Sequence, residues 1–340
     1  MKHPILSLLL LASSALAGEG FTIRTSDAPL AIRVELDGKP YTDFRTDSKV
    51  PYCYPLMSSS GACLTRHWPM EDGFKEEERD HPHHRSFWMS HGSVNGHDFW
   101  SWKKPENDPR ITLRKVGEVK SDSFTVELAW TAAGKTHLTE TRTYAFRKID
   151  ERTTLIDFTS KLTAADGDAT FGDTKEGFFS IRVDRTLRQK GATAKGAITD
   201  SEGRKDGDTW GKRSNWVAFS GPDEKGEPAV IALFDHSSNL RHPTWWHARD
   251  YGLLAANPFG IHDFESRKDK QRAGVHVLKQ GEALVFRYGV LIHHGSLGTA
   301  DIPSRWAQFI NPLFPALRSG PTAVSGASRQ KQIPSNTSEK

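Results

Sequence analysis

The sequence predicts an all-β protein: a large antiparallel β-sandwich with few short helices. Three observations lead there. Long stretches alternate polar and apolar residues with period two. Asp-Gly, Ala-Gly and other turn-forming clusters separate them. Helical periodicity is nearly absent over about 300 residues, a length that suits one large β-domain.

The elements follow in chain order. FTIRTSD and LAIRVELDG (21–27 and 30–38) alternate, and the second ends in an Asp-Gly turn. TLRKVGEVKSDSFTVELAWTAAGK gives two strands with turns at 120–123 and 133–134. HLTETRTYAFRKIDERTTLIDFTSKLTA gives two long strands joined at 148–151. In the first of these Thr139, Thr141 and Thr143 line one face, and Leu138, Tyr144 and Phe146 the other; in the second Leu155, Asp157 and Thr159 oppose Ile156, Phe158 and Ser160. FFSIRVDRTL, PAVIALFDH and EALVFRYGVLIHHG continue the pattern, and Pro303–Ile310, with proline in the first turn, is the best helix.

The ends differ from this body. Residues 1–17, with Lys2, a short apolar run and Ala15-Leu16-Ala17, read as a secretory signal peptide rather than a membrane span. Residues 316–340 contain no aromatic residue and almost no large apolar one, so they read as a disordered tail. The expected organisation is a leader (1–17), a single β-sandwich domain (18–315) and a tail (316–340), in a protein that is periplasmic or secreted. The formal net charge of +4 resides in Lys2 and the tail, leaving the body near neutral, so nucleic-acid binding is not expected. Cys53 and Cys63, the two cysteines, are spaced for a small disulfide loop in an oxidising compartment, worth about 2–3 kcal/mol.

Chemistry concentrates in three blocks. The first is DHPHHRSFWMSHG (80–92); six of the 15 histidines lie between His67 and His97. On an extended strand His81, His83 and Arg85 would share a face, with His84 opposite, and Pro82 favours extension at His81. His81 and His83 are the candidate ligands for a divalent metal, although no motif requires a cofactor. His83, His84 and His91 are candidate proton-transfer groups, and Arg85 suits a negative substrate oxygen. The second block, GDTKEGFF, offers Glu176 as general base, hydroxyl acceptor or ligand. The third, RHPTWWHARDYG with the following NPFGIH, offers His242, Trp245, Trp246, His247, Asp250, Asn257 and His262, which with Trp88 would bind substrate; Trp100 and Trp102 add to the aromatic supply. Only one of Trp245 and Trp246 can face a pocket if both lie on a strand. There is no P-loop, no dinucleotide fingerprint and no G-x-S-x-G, so phosphoryl transfer, dinucleotide chemistry and α/β-hydrolase chemistry are not expected.

DHPHHRSFWMSHGSVNGHDFW, GDTKEGFFSIRV and HPTWWHARDYGLLAANPFG resemble the signature blocks of a bacterial family labelled PmoA-like, or methane oxygenase PmoA, over Phe21 to about Pro312. That resemblance implies a carbohydrate context, since members occur among secreted sugar-degrading proteins, while the label itself implies a metal-dependent oxidoreductase. LTETRTYAF…TTLIDFTSKLTA followed by GFFSIRV also resembles, at fold level, the core of galactose-mutarotase-like supersandwiches; there a histidine precedes an aromatic where Glu176 stands here. The expected function is a carbohydrate-active enzyme (hydrolase, lyase or epimerase-like) using His/Glu acid–base chemistry. The alternatives are a non-catalytic sugar-binding protein and the metal-dependent oxidoreductase. The expected partner is a carbohydrate substrate, with no nucleic acid and no membrane span.

Overall fold

The computed structural model describes residues 20–27, 30–102, 107–266 and 273–311; the expected leader and tail lie outside them. The first half of the chain gives β1 (Phe21–Thr25), β2 (Leu30–Leu36), β3 (Lys39–Arg45), β4 (Tyr52–Tyr54), β5 (Phe87–His91), β6 (Arg110–Val119), β7 (Ser123–Ala132), β8 (Lys135–Asp150) and β9 (Thr153–Ala164). The second half gives β10 (Ala169–Phe171), β11 (Gly177–Arg182), β12 (Ala197–Asp200), β13 (Trp216–Pro222), β14 (Pro228–Asp235), β15 (Trp245–Ala248), β16 (Leu253–Asn257), β17 (His276–Leu278) and β18 (Ala283–His294), with helices α1 (Ile261–Phe264) and α2 (Ile302–Ile310).

Two open eight-stranded sheets result. One runs β1-β2-β3-β4-β5-β11-β16-β15 and the other β12-β13-β14-β18-β9-β8-β7-β6; β10 and β17 form a small third pair. All named pairings are antiparallel. The β2–β3 hairpin turns at Asp37 (φ 51°) and Gly38 (φ 74°), the left-handed pair that an Asp-Gly turn supplies.

Aromatic rings fill the space between the sheets. Phe179 stacks on Tyr288 with centroids 4.5 Å apart and meets Phe158 at 4.6 Å, while Phe87 packs edge-on to Tyr144. The alternation expected for β8 and β9 holds, with one addition. The inward face of β8 carries not only Leu138, Tyr144 and Phe146 but also Glu140 and Arg142, both with fully buried side chains. The Glu140 carboxylate accepts from Arg142 Nε (2.7 Å) and Nη2 (2.9 Å), Ser160 Oγ (2.7 Å) and Trp130 Nε1 (2.8 Å). A carboxylate taken out of water needs such partners. On the outer face of the second sheet, Leu155, Trp216, Phe234 and Leu291 are covered by Ile302 and Phe309 of α2. Among the described residues no helix is long and apolar enough to cross a membrane.

The expected disulfide is not formed: Cys53 and Cys63 are buried free thiols. Cys53 lies on β4 opposite Phe44 and Phe87, whereas the Cys63 thiol donates to the Thr65 carbonyl at 3.2 Å. Burial pushes both thiols up to about 12, so neither presents a thiolate near neutral pH. Mass spectrometry after alkylation without reductant is expected to show no labelling of the native chain and two labels after unfolding. A chain that takes up label only after reduction contradicts this arrangement.

Candidate functional site

The site forms where β5, β11 and β16 lie side by side in the first sheet, so the three sequence blocks are neighbours through strand pairing. Residues 80–86 precede β5. They do not form the extended strand expected of them. His84 N donates to the His81 carbonyl at 2.9 Å, and His81 and Ser86 take left-handed conformations (φ 45° and 52°) despite Pro82. The reason is a set of contacts stronger than the local preference.

Two buried arginines make those contacts. Arg66 and Arg182 are each 1% exposed. Arg66 Nη1 donates to Asp80 Oδ1 (2.6 Å) and to the Asp80 carbonyl (2.9 Å), while its Nη2 donates to the carbonyls of His81 (2.8 Å) and His84 (3.2 Å). Arg182, at the end of β11, grips both Asp80 oxygens through Nη2 (2.9 and 3.0 Å) and donates through Nη1 to His84 Nδ1 (3.1 Å). His81 Nδ1 donates to Asp80 Oδ2 at 2.6 Å. Burial alone would raise the Asp80 carboxyl. The His81 hydrogen bond and the charges of Arg182 and Arg66 outweigh it and hold the group well below the usual carboxylate range.

The turn stacks its imidazoles into an aromatic cluster. His81 lies parallel to His84 (4.7 Å) and to Tyr251 (5.3 Å), and His84 lies on Trp88 (5.3 Å). His83 meets His84 edge-on at 4.4 Å and faces Trp100 and Trp102, each at 6.2 Å. The Asp98 carboxylate positions this wall by accepting from the backbone N–H groups of Trp100 (2.9 Å) and Ser101 (2.8 Å). Arg182 lies 4.6 Å over the Tyr251 ring from below, and Arg249 lies 5.5 Å from it. Burial lowers the His83 imidazole to about 4, with His81 adding to the effect and Glu176 and Asp98 opposing it. His84 is held well below its usual value by burial, then by His83 and Arg182.

Glu176 reaches this cluster through a close backbone approach. Gly92 N donates to the Glu176 carbonyl at 2.7 Å, and a Cβ on Gly92 would sit 2.8 Å from Glu176 Cβ. Gly177 follows at φ 154°, where a Cβ would meet His91 Nδ1 at 2.7 Å. The Glu176 carboxylate pairs with Lys175 Nζ at 2.7 Å, and its charge acts on His83, His247 and Tyr251. His247, on β15, donates from Nδ1 to the Lys175 carbonyl (3.1 Å), and burial lowers it to about 4 against the pull of Glu176.

Other candidates lie elsewhere. Arg85 does not face the histidines; its guanidinium lies 5.5 Å over Tyr52, and Arg182 takes the place expected for it. His91 is fully buried among Phe171, Phe178 and Phe259 and bonds the Gly172 carbonyl through Nε2 (2.8 Å), so it belongs to the wall behind Glu176. Trp246 is a core residue donating to the Ser214 carbonyl, while Trp245, on the opposite face, packs with Ile261 and Phe264 under Arg213. His242 pairs with the buried Asp235 (2.7 Å) and lies parallel to Trp306 of α2, in a separate cluster. Asn257 braces two loops, accepting from Phe259 N and donating to the Thr174 carbonyl. His262, on α1, hangs from Asp173 by its backbone N–H. Asp250 is exposed and, with Arg249, Trp210 and Gln189, lines an open cleft of about 350 Å³.

Among the described residues no three His, Cys, Asp or Glu groups are arranged to hold an ion; of the two candidate ligands, His81 commits Nδ1 to Asp80, and its ring lies 5.7 Å from that of His83. The residues that sequence reasoning missed are Arg66, Arg182 and Tyr251. Arg182 carried a signal: it is the one charge in the apolar run GFFSIRV.

An open two-sheet β-sandwich with a buried arginine–imidazole cluster at one sheet is thus the class of protein defined here. The chain belongs to a family of unknown function (DUF6807), whose model matches residues 31–307. None of the curated proteins matches it.

Removing the Asp80 charge leaves two buried guanidinium groups facing each other. Asp80→Asn is expected to cost about 3–5 kcal/mol in urea unfolding, whereas Asp72→Asn, in an exposed pair with Arg79, changes little. A near-neutral Asp80→Asn contradicts the clamp. The lowered histidines also fix a pH response. His91 and His247 sit at about 4 when folded and near 6.5 when unfolded, so between those values the unfolded chain binds more protons. Stability is therefore expected to be full above pH 6.5 and to fall toward pH 4, by roughly 1.4 kcal/mol per pH unit for each such histidine. Unfolding midpoints that are flat across this window count against burial of the neutral rings.

Proposed function

We propose that this chain is an exported carbohydrate-active enzyme using histidine–glutamate acid–base chemistry on a saccharide or modified sugar. One observation carries the reading. His83, at the half-buried edge of the cluster, is an uncharged imidazole beside tryptophan rings and within the field of a carboxylate, Glu176. A neutral ring accepts a proton, and indole and phenol rings pack on the C–H faces of sugars.

In this reading His83 is the base, Glu176 is its acid–base partner, and Trp102 and Tyr251, both partly exposed, hold the sugar ring. His84 is a positioning residue, sealed beneath His83 and oriented by Arg182. Hydrolysis, β-elimination and epimerisation each begin with a proton transfer that such a pair can perform. The leader-like pattern of residues 1–17 supports export, and the resemblance to a family whose members occur among secreted sugar-degrading proteins supports the substrate class. The oxidoreductase label has weaker support: of its two candidate ligands, His81 already gives Nδ1 to Asp80.

His83→Ala and Glu176→Gln, assayed on a glycan panel, are each expected to lower kcat/KM by about 10²–10⁴. The acid limb of kcat/KM should lie at about 4 rather than near 6.5, because His83 loses its receptive form only there. Wild-type protein that binds a glycan saturably without forming product contradicts catalysis and leaves a sugar-binding module. Undiminished turnover in both variants removes these two residues from the chemistry.

A further inference from the structure

We infer that the open cleft at the β15–β16 turn is a second sugar subsite, and that the substrate is a neutral oligosaccharide rather than a single sugar. The inference rests on the proposed saccharide chemistry and names the length and charge of the substrate.

The cleft measures about 350 Å³ and is lined by Gln189, Gly207, Trp210, Ala248, Arg249 and Asp250. Three segments distant in sequence build it, and hydrogen bonds tie them together. The backbone N–H groups of Gln189 and Lys190 both donate to the Asp250 carbonyl, at 2.9 and 3.1 Å, which fixes the β15–β16 turn against the loop after β11. Gln189 Nε2 donates to Asp206 Oδ1, and Ile198 N donates to the same oxygen at 3.0 Å. Asp206 opens the single-turn helix Asp206–Thr209, and the Thr209 hydroxyl donates back to the Asp206 carbonyl at 2.6 Å. Trp210 follows that turn, half-buried and edge-on to Phe264 at 5.7 Å. Walls held in this way lose little freedom when a ligand binds.

The lining selects the ligand. It combines an indole ring, one cation (Arg249), one carboxylate (Asp250) and an amide (Gln189). Neither Arg249 nor Asp250 is in a salt bridge among the described residues, so both side chains are available. An anion would meet Asp250, and a cation would meet Arg249. Sugar hydroxyls both donate and accept, which suits a lining that offers both, and an indole ring packs on the C–H faces of sugars.

The cleft borders the proposed catalytic residues. Tyr251, in the β15–β16 turn, lies 5.5 Å from the Arg249 guanidinium and parallel to His81 at 5.3 Å, and the His81 ring is 5.7 Å from that of His83. Trp210 is edge-on to His247 at 6.5 Å, and the charges of Glu176 and Arg249 both act on His247. A sugar ring held on Tyr251 beside His83 therefore has the cleft as its neighbour, and the next unit of the chain occupies it.

The full chain is titrated calorimetrically with glucose, xylose and galactose, with their neutral oligosaccharides and with uronic-acid oligosaccharides, and product formation is followed on the same panel. At least one neutral series is expected to bind about tenfold more tightly as the oligosaccharide than as the single sugar. Gly207→Leu is the decisive variant: a Cβ there meets nothing within 4 Å, so the side chain enters the cleft without displacing a neighbour. Gly207→Leu and Trp210→Ala are each expected to abolish the gain with length while leaving the affinity for the single sugar unchanged, and Gly207→Leu also leaves the unfolding midpoint unchanged. A gain that survives Gly207→Leu, or no gain with length in a chain that forms product, overturns the inference and leaves the proposed function standing. Tighter binding of the uronic acids than of every neutral series overturns the neutral assignment. A gain lost in both variants, in protein that forms no product, supports the inference and contradicts catalysis. Failure of every saccharide to bind overturns both.

Discussion

One carboxylate shared by two buried arginines organises this protein's candidate site. Asp80 joins Arg66, outside the named strands, to Arg182 on β11, and the same arginines hold the carbonyls of His81 and His84 and the ring of His84. Burying two guanidinium groups is costly unless their donors are met. The turn at 80–86 meets their Nη groups with a carboxylate, three carbonyls and an imidazole nitrogen. In return it is held in left-handed conformations that the local sequence disfavours. The histidines are therefore placed by the arginines beneath them rather than by the strand pattern of their own segment.

The consequences run outward from that clamp. Because Arg182 donates to His84, the histidine ring is fixed in one tautomer, and burial, aided by His83 and Arg182, keeps it uncharged. His84 in turn supports His83 and His81, and Tyr251 completes the stack from the third sequence block. Gly92 and Gly177 let the second block come close enough for Glu176 to act on the same rings. Neutral imidazoles, a partnered carboxylate and aromatic faces are a set suited to moving protons on a polar, ring-shaped substrate.

Much of the architecture was legible in the sequence. Period-two alternation marked β8, β9, β14 and β18, Asp37-Gly38 marked a hairpin, and Pro303 marked the start of α2. These signals are local, and the sandwich follows from them. The density of histidines also marked the right segment. The rest was not legible because it depends on residues distant in sequence. Nothing near Asp80 announces Arg66 or Arg182 as its partners. The Glu140–Arg142 pair hides in positions whose period matches the core but whose polarity does not. Arg85 and the cysteine pair misled for the opposite reason. Closeness in sequence suggested partnership, but the turn before β5 leaves Arg85 over Tyr52, and the two thiols stay unbonded.

The clamp is tested most directly by the protonation state of the ring it holds. Nitrogen-15 NMR of the histidine side chains at pH 7, with His84 assigned by His84→Gln, reads the tautomer of that ring. The account predicts a neutral ring protonated at Nε2 in the native chain, and loss of that single form when Arg182 is replaced by glutamine. A His84 protonated at Nδ1, or charged at neutral pH, contradicts it.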